Sequence, residues 1–390
     1  MKESLIYKNR ENSNCEKWDG LQNEYGRSDL LPVWVADMDF EAPNCVKVAL
    51  QNAVDYNVYG YYCLPDSFYD SIIFWEREYQ DYEIQREWIR FIPGVVPAIY
   101  WLVQMWSQEN ESVLVMPPVY YPFMNSIKET GRRMVKCPLI KNSQDHYSMD
   151  LELFEKLIQK EQVKVFILCS PHNPVGRVWT KTELQEVLDI CKKYHVYVIA
   201  DEIHQDIIIE GYQKITAATC GPYDDILITL TSASKSFNLA GFQFAYAIIP
   251  DDTMRARYDQ MARRLHFTES NNFAYIATEA AYRGGRGWLE SLCEQVEENY
   301  QYLKNRLSRE LPQISIAPLE GTYLAWVDIS KYVIANEVRN VVMNKCRLAV
   351  DFGEWFGGLE YSQYIRINLA TSKENIAEVV KRLRCIDMND

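Results

Sequence analysis

VKVFILCSPHNPVGRVW (163–179) opens with seven residues that are apolar at every position but Lys164, then breaks into a turn-rich run. A short apolar segment bounded by Ser-Pro reads as a β-strand buried on both faces. The pattern recurs on either side, in VLVMPP (113–118), VYVIAD (196–201), DILITLT (225–231) and AYAII (245–249). Helical stretches separate several of these runs, TELQEVLDICKKYH (182–195) being the clearest. Buried strands alternating with helices predict an α/β unit whose parallel sheet is covered on both faces. After about residue 285 the pattern changes to a long helix (288–310), the strands YLAWVDI (323–329) and YIRINLA (364–370), and a terminal helix. That reads as a smaller α+β domain. The expected division is an N-terminal segment 1–50 packing with the small domain, a large domain 51–285 and a small domain 286–390.

Composition narrows the function classes. The 390 residues are 48% hydrophobic and 24% charged, an ordinary globular balance that argues against disorder. With 41 basic and 54 acidic residues the formal charge is −13, which disfavours nucleic acid and anionic membrane as partners. No apolar run approaches membrane-spanning length, and the first twenty residues do not read as a signal peptide. A cytoplasmic protein is therefore expected. The ten cysteines show no C-x-x-C spacing and are expected to act as small apolar residues. Five histidines without H-E-x-x-H give no support to a metal site.

In open α/β sheets, ligands bind beyond the carboxyl ends of the strands. Three successive strand ends here carry Asn173, then Asp201 with His204, then Ser232, Ser234 and Lys235. Any one of them could be a solvated loop residue; three in succession point to a site. A lysine, a carboxylate and hydroxyl donors at one place are what pyridoxal 5′-phosphate requires. The lysine forms a Schiff base, the carboxylate keeps the pyridinium nitrogen protonated, and N–H groups at a helix start hold the phosphate. Gly94-Val95-Val96 opens a helix that could supply those N–H groups.

These residues sit in segments that resemble the fold-type-I pyridoxal-phosphate enzymes of the aminotransferase superfamily. More narrowly, the chain is similar to the MalY/PatB-type cysteine-S-conjugate (cystathionine) β-lyases, cystalysin in particular. The resemblance runs nearly end to end, through WVADMDF (34–40), PGVVPAI (93–99), PPVYYPF (117–123), CSPHNPVGRVW (169–179), ADEIH (200–204), SKSFNLAG (234–241), EGTYLAW (320–326) and YIRINLA (364–370). It implies an aspartate-aminotransferase-like fold, with a mainly parallel seven-stranded sheet in the large domain.

The resemblance also implies roles. Lys235 would carry the cofactor and move the Cα proton, and Asp201 would pair with the ring nitrogen. Asn173 and His204 would face the ring oxygen, with Asn173 also near substrate. Tyr120 would stack on the ring, and Tyr121 would stand beside it near substrate. Val95, Val96, Ser232 and Ser234 would lie at the phosphate, and Tyr61 would reach the phosphate of a partner subunit in a homodimer. Arg366 would clamp the substrate carboxylate, and Asp37 would line the substrate side. The position eight residues after the lysine, an arginine in many aminotransferases, is Gln243 here, which favours the lyase branch; Ser232 is more typical of the wider superfamily.

The implied activity is α,β-elimination from L-cystathionine or a related S-conjugate, yielding a thiol, pyruvate and ammonia. An aminotransferase using the same site is the alternative, and a cofactor-bound regulatory partner protein is a weaker one. Ser232 to Lys235 formally fits S-x-x-K, but the S-D-N and K-T-G companions of serine acyl-transfer enzymes are absent from the sequence. G-x-G-x-x-G and the P-loop motif are absent too.

Overall fold

The computed structural model describes residues 2–387. Its central sheet has seven strands: β1 (Ile89–Ile92), β2 (Ser112–Val115), β3 (Arg133–Lys136), β4 (Val163–Cys169), β5 (Tyr197–Asp201), β6 (Leu227–Thr231) and β7 (Ala245–Ile248). They lie in the order β1-β7-β6-β5-β4-β2-β3. Strands β6, β5, β4, β2 and β3 are parallel, while β7 runs antiparallel to both β6 and β1. The period of two is visible in the packing: Phe166, Leu168, Val198 and Ala200 enter one core, and Val165, Ile167, Cys169 and Ile199 the other. Both faces are covered, which is why these strands read as continuous apolar runs.

Register places the chemistry. Cys169 pairs with Asp201, and Asp201 pairs with Leu230, so the three strands end level with one another. The loops that leave these strands therefore meet at one edge of the sheet. The helix Lys181–Lys193 begins with a capping box between Thr180 and Glu183. Glu183 also accepts from the Arg177 guanidinium, whose Nε donates to Glu320 at 2.8 Å. Arg177 and Glu320 are thus a buried structural tie between two of the segments that carried the resemblance.

The small domain holds an antiparallel sheet of β8 (Ser315–Ile316), β9 (Leu324–Asp328), β10 (Asp351–Phe352) and β11 (Tyr364–Asn368), ordered β8-β9-β11-β10. Leu31–Pro32 pairs in parallel with Leu348–Ala349, and the chain continues from there against Asn368, whose Nδ2 donates to the Val35 and Asp37 carbonyls. The fully buried Lys17–Asp39 pair, 2.8 Å apart, holds the segment from its other side. The helix Asn44–Tyr56, opened by Pro43, runs across residue 50, so a division at 50 would cut it. It packs on the helix Asn272–Gly284 of the large domain, where Cys45 lies close against Gly284.

The cysteine expectation did not include one pairing: Cys346 and Cys385 lie side by side, their Cα atoms 5.8 Å apart and within disulfide reach, while the other eight stand apart. The fold brings the end of the terminal helix Lys373–Leu383 back onto the turn before Leu348, and spacing along the chain carries no signal of that. No helix among the described residues is long and apolar enough to cross a membrane.

Candidate active site

Lys235 sits in the one-turn helix Ala233–Ser236 that comes directly after β6. Its Nζ donates to the Ala36 carbonyl at 2.6 Å, and Tyr323 Oη donates to the same oxygen at 2.8 Å. Burial lowers the Lys235 pKa, and the nearby Arg366 charge adds to this, against the opposing pull of Asp37 and Asp201. An amine with a depressed pKa is better suited than an ordinary lysine to act as a nucleophile and proton carrier.

Asp201 closes β5 and accepts from the Ile203 N–H at 3.1 Å. Burial pushes its carboxyl up to about 7. A bound cationic ring nitrogen would reverse that shift by supplying the missing counter-charge. Burial, with the Lys235 and Arg366 charges, drives His204 well below its ordinary pKa, so the ring is neutral. It meets Tyr323 edge-on, with centroids 5.5 Å apart.

Asn173 and Arg366 form one unit. Arg366 Nη1 donates to Asn173 Oδ1 at 2.9 Å, and Nη2 donates to the Trp34 carbonyl at 3.3 Å and to Asp351 Oδ2. The guanidinium lies 5.0 Å from the centre of the Phe356 ring and is 2% exposed. It is an interior group, not a surface strand-end arginine. Tyr120 directly precedes the helix Tyr121–Glu129, and its ring lies 5.2 Å from that of Tyr121. Tyr121 continues into an aromatic wall with Trp355 and Phe356.

Asp37 pairs with Arg10 at 2.7 Å. Val95 and Val96 begin the helix Val95–Trp106, which has no side-chain cap and is preceded by Gly94 at φ 156°. A side chain at Gly94 would be strained, and the first-turn N–H groups are left without a side-chain cap, an arrangement that favours an anion. Ser232 is engaged within the chain. Its hydroxyl donates to the Phe244 carbonyl at 2.7 Å and accepts from the Ser234 N–H, so it caps the lysine helix. Ser234, the next hydroxyl along, is half-buried. Tyr61 is fully exposed and does not join the buried cluster within this chain. Gln243 is exposed as well.

Of the nine buried polar atoms without a partner among the described residues, four gather here: Asp37 Oδ1, His204 Nδ1, Asp351 Oδ1 and Arg366 Nε. All belong to residues that act electrostatically on Lys235 or Arg366. Leaving a buried polar atom unpaired costs about 1–3 kcal/mol, so this grouping marks a place built for a polar ligand. A neutral imidazole, a raised carboxyl, a half-buried lysine and a helix start fit pyridoxal phosphate, and the Arg366 edge fits a carboxylate. Arg10, Tyr323 and Asp351 join the site without having been expected there. Tyr323 lies within EGTYLAW, whereas Asp351 and Arg10 carry no local signal.

Comparison with known proteins agrees with this geometry. The model of the family "Aminotransferase class I and II" matches residues 29–383. Cystathionine beta-lyase PatB of Bacillus subtilis is 33% identical over 94% of this chain and 95% of its own. Protein MalY of Escherichia coli is 30% identical over 95% and 94%. The crystal structure of cystalysin from Treponema denticola, which contains a pyridoxal 5′-phosphate cofactor, superposes with a TM-score of 0.94 at 30% identity, covering 99% of this chain and 98% of that one. Fold, strand-end constellation and near end-to-end similarity together make this chain a member of the aminotransferase class I and II family, in its PatB/MalY-type branch.

Proposed function

We propose that the protein is a pyridoxal-phosphate-dependent carbon–sulfur β-lyase acting on L-cystathionine or related L-cysteine S-conjugates. The observation that carries this reading is the half-buried Lys235 with its lowered pKa, set among the buried Asp201, Asn173 and Arg366 in a chain 33% identical to a cystathionine beta-lyase. Pyridoxal phosphate, when bound, supplies the electron sink that lets a Cα proton leave. Asp201 would hold the ring nitrogen in its protonated form, and His204 and Asn173 would face the ring oxygen. Tyr120 would cover the ring face, with Tyr121 on the substrate side. The N–H groups of Val95 and Val96 and the Ser234 hydroxyl would take the phosphate. Arg366 would bind the substrate carboxylate and Asp37 would line the approach. Lys235 would carry the Cα proton. In the net reaction the Cβ–S bond breaks, the thiol takes a proton, and water replaces the amino group, giving pyruvate and ammonia.

Pyruvate release from L-cystathionine without added keto acid tests the reading. Continuing release of pyruvate with one thiol per turnover is expected. A single turnover that resumes only on addition of a keto acid would identify an aminotransferase on the same scaffold.

The reading also takes the protein as a cytoplasmic homodimer. A groove of about 680 Å³ near Tyr61 is lined by Tyr56, Val58, Tyr59, Tyr62, Phe273 and Ile276. Tyr56, Val58 and Tyr59 are 76, 64 and 62% exposed. A patch of this kind is characteristic of an interface, and it would place Tyr61 in the neighbouring site. Light scattering at assay concentration should give twice the chain mass, and Tyr61→Ala should weaken cofactor retention at least about tenfold, the loss of one phosphate hydrogen bond. A fully active monomer would contradict the dimer.

A further inference from the structure

We propose that Asp351 positions the Arg366 carboxylate clamp and takes up a proton when a ligand carboxylate binds there. The inference rests on the reading of Arg366 as the substrate-carboxylate site. Asp351 stands directly opposite Arg366 in the β10–β11 ladder, and both side chains are 2% exposed. With Asn173 on Nη1 and with Trp34 and Asp351 on Nη2, the guanidinium plane is held from three sides. Arg366 Nε and Asp351 Oδ1 remain buried and unpartnered.

The pair is neutral as it stands. A ligand carboxylate therefore adds a second anion to one guanidinium in a place where an uncompensated charge is costly. The charged and titratable groups that bear on Asp351 are Arg366 from β11, Glu24 and Tyr25 from the helix Leu21–Tyr25, and Tyr120 and Tyr121 at the head of the helix Tyr121–Glu129. Arg366 is the cation among them, and Glu24 adds further negative charge. Burial already pushes the Asp351 carboxyl up to about 6, although Arg366 holds it down. Sharing Arg366 with a second carboxylate weakens that hold. A proton from solvent then settles on Oδ1, the oxygen without a partner, and no covalent bond to carbon changes. Because such coupling is reciprocal, rising pH must weaken carboxylate binding.

The test uses the cofactor-loaded protein and 3-(methylsulfanyl)propionate, an amine-free carboxylate that engages the clamp alone. Calorimetry in two buffers of different protonation enthalpy reads the protons taken up. Uptake approaching one proton is expected at about pH 7.5, with affinity falling about tenfold per pH unit above neutrality. Asp351→Asn should abolish the uptake, flatten the pH dependence and bind the probe on the order of tenfold more tightly at about pH 8. Unchanged proton uptake in Asp351→Asn overturns the proposal, as does a wild-type affinity that is flat with pH. If the variant does not fold, the wild-type series still decides, because uptake must fall by more than half between about pH 7.5 and about pH 5.5, where Asp351 already carries its proton. Unchanged probe binding in Arg366→Ala would refute the clamp itself, a result separate from either outcome at Asp351.

Discussion

Lys235→Ala is expected to bind pyridoxal phosphate without a covalent bond and to lose turnover by a factor on the order of 10⁴ or more, the upper range for removing a general acid–base group. Among the described residues no other lysine stands in this cluster. Lys17 is ion-paired with Asp39 and Lys214 with Glu202, so neither amine is free to take over. The fold should survive the change. The Lys235 amine makes one hydrogen bond, to the Ala36 carbonyl, which Tyr323 also satisfies. Removing an amine whose pKa is already lowered leaves no stranded counter-ion, because Asp201 is pushed towards its neutral form. Visible absorbance, intact mass after borohydride reduction and a melting curve check the three parts of this expectation. A covalent adduct surviving in the variant would move the cofactor lysine elsewhere.

Arg366→Ala should reduce kcat/KM by a factor of roughly 30 to 5,000, corresponding to about 2–5 kcal/mol for truncating a buried charge partner, with most of the effect in KM. Unlike the lysine change, this one should also destabilise the protein. It strands Asp351 as a buried carboxylate without its cation and removes the donor to Asn173. Breaking a buried ion pair from one side costs about 3–5 kcal/mol. The double variant Arg366→Ala, Asp351→Asn should recover much of that stability and none of the activity. Steady-state kinetics together with thermal melts separate the two losses. Unaltered kinetics in Arg366→Ala would place the carboxylate site elsewhere.

The residues behind these two outcomes differ in how legible they are. The strands β4, β5, β6 and β7 are readable because other strands flank them and helices cover both faces, so almost every position is apolar. The edge strands β1, IRFI, and β3, RMVK, give no comparable signal. Each carries charged residues because one side of an edge strand meets solvent, and β3 has a single buried position. The stretch 31–40 reads as extended, yet only Leu31–Pro32 joins a ladder, and the remainder is held by side chains and irregular bonds to the small domain.

Sequence by itself determined the interior strands of the sheet, the strand-end positions of Asn173, Asp201 and Lys235, and the chemical kind of site they form. The causes are local: the periodicity of apolar residues, and the rule that loops leaving the carboxyl ends of parallel strands gather at one edge. Only the tertiary structure decided partnership. Arg366 meets Asn173 across 193 residues and Trp34 across 332, and Lys235 meets Ala36 across 199. It likewise turned Ser232 into a helix cap, left Tyr61 on the surface, and set Asp351 against Arg366. A side chain's hydrogen-bond partner and its loss of solvent depend on which distant segment packs over it, and no spacing along the chain encodes that.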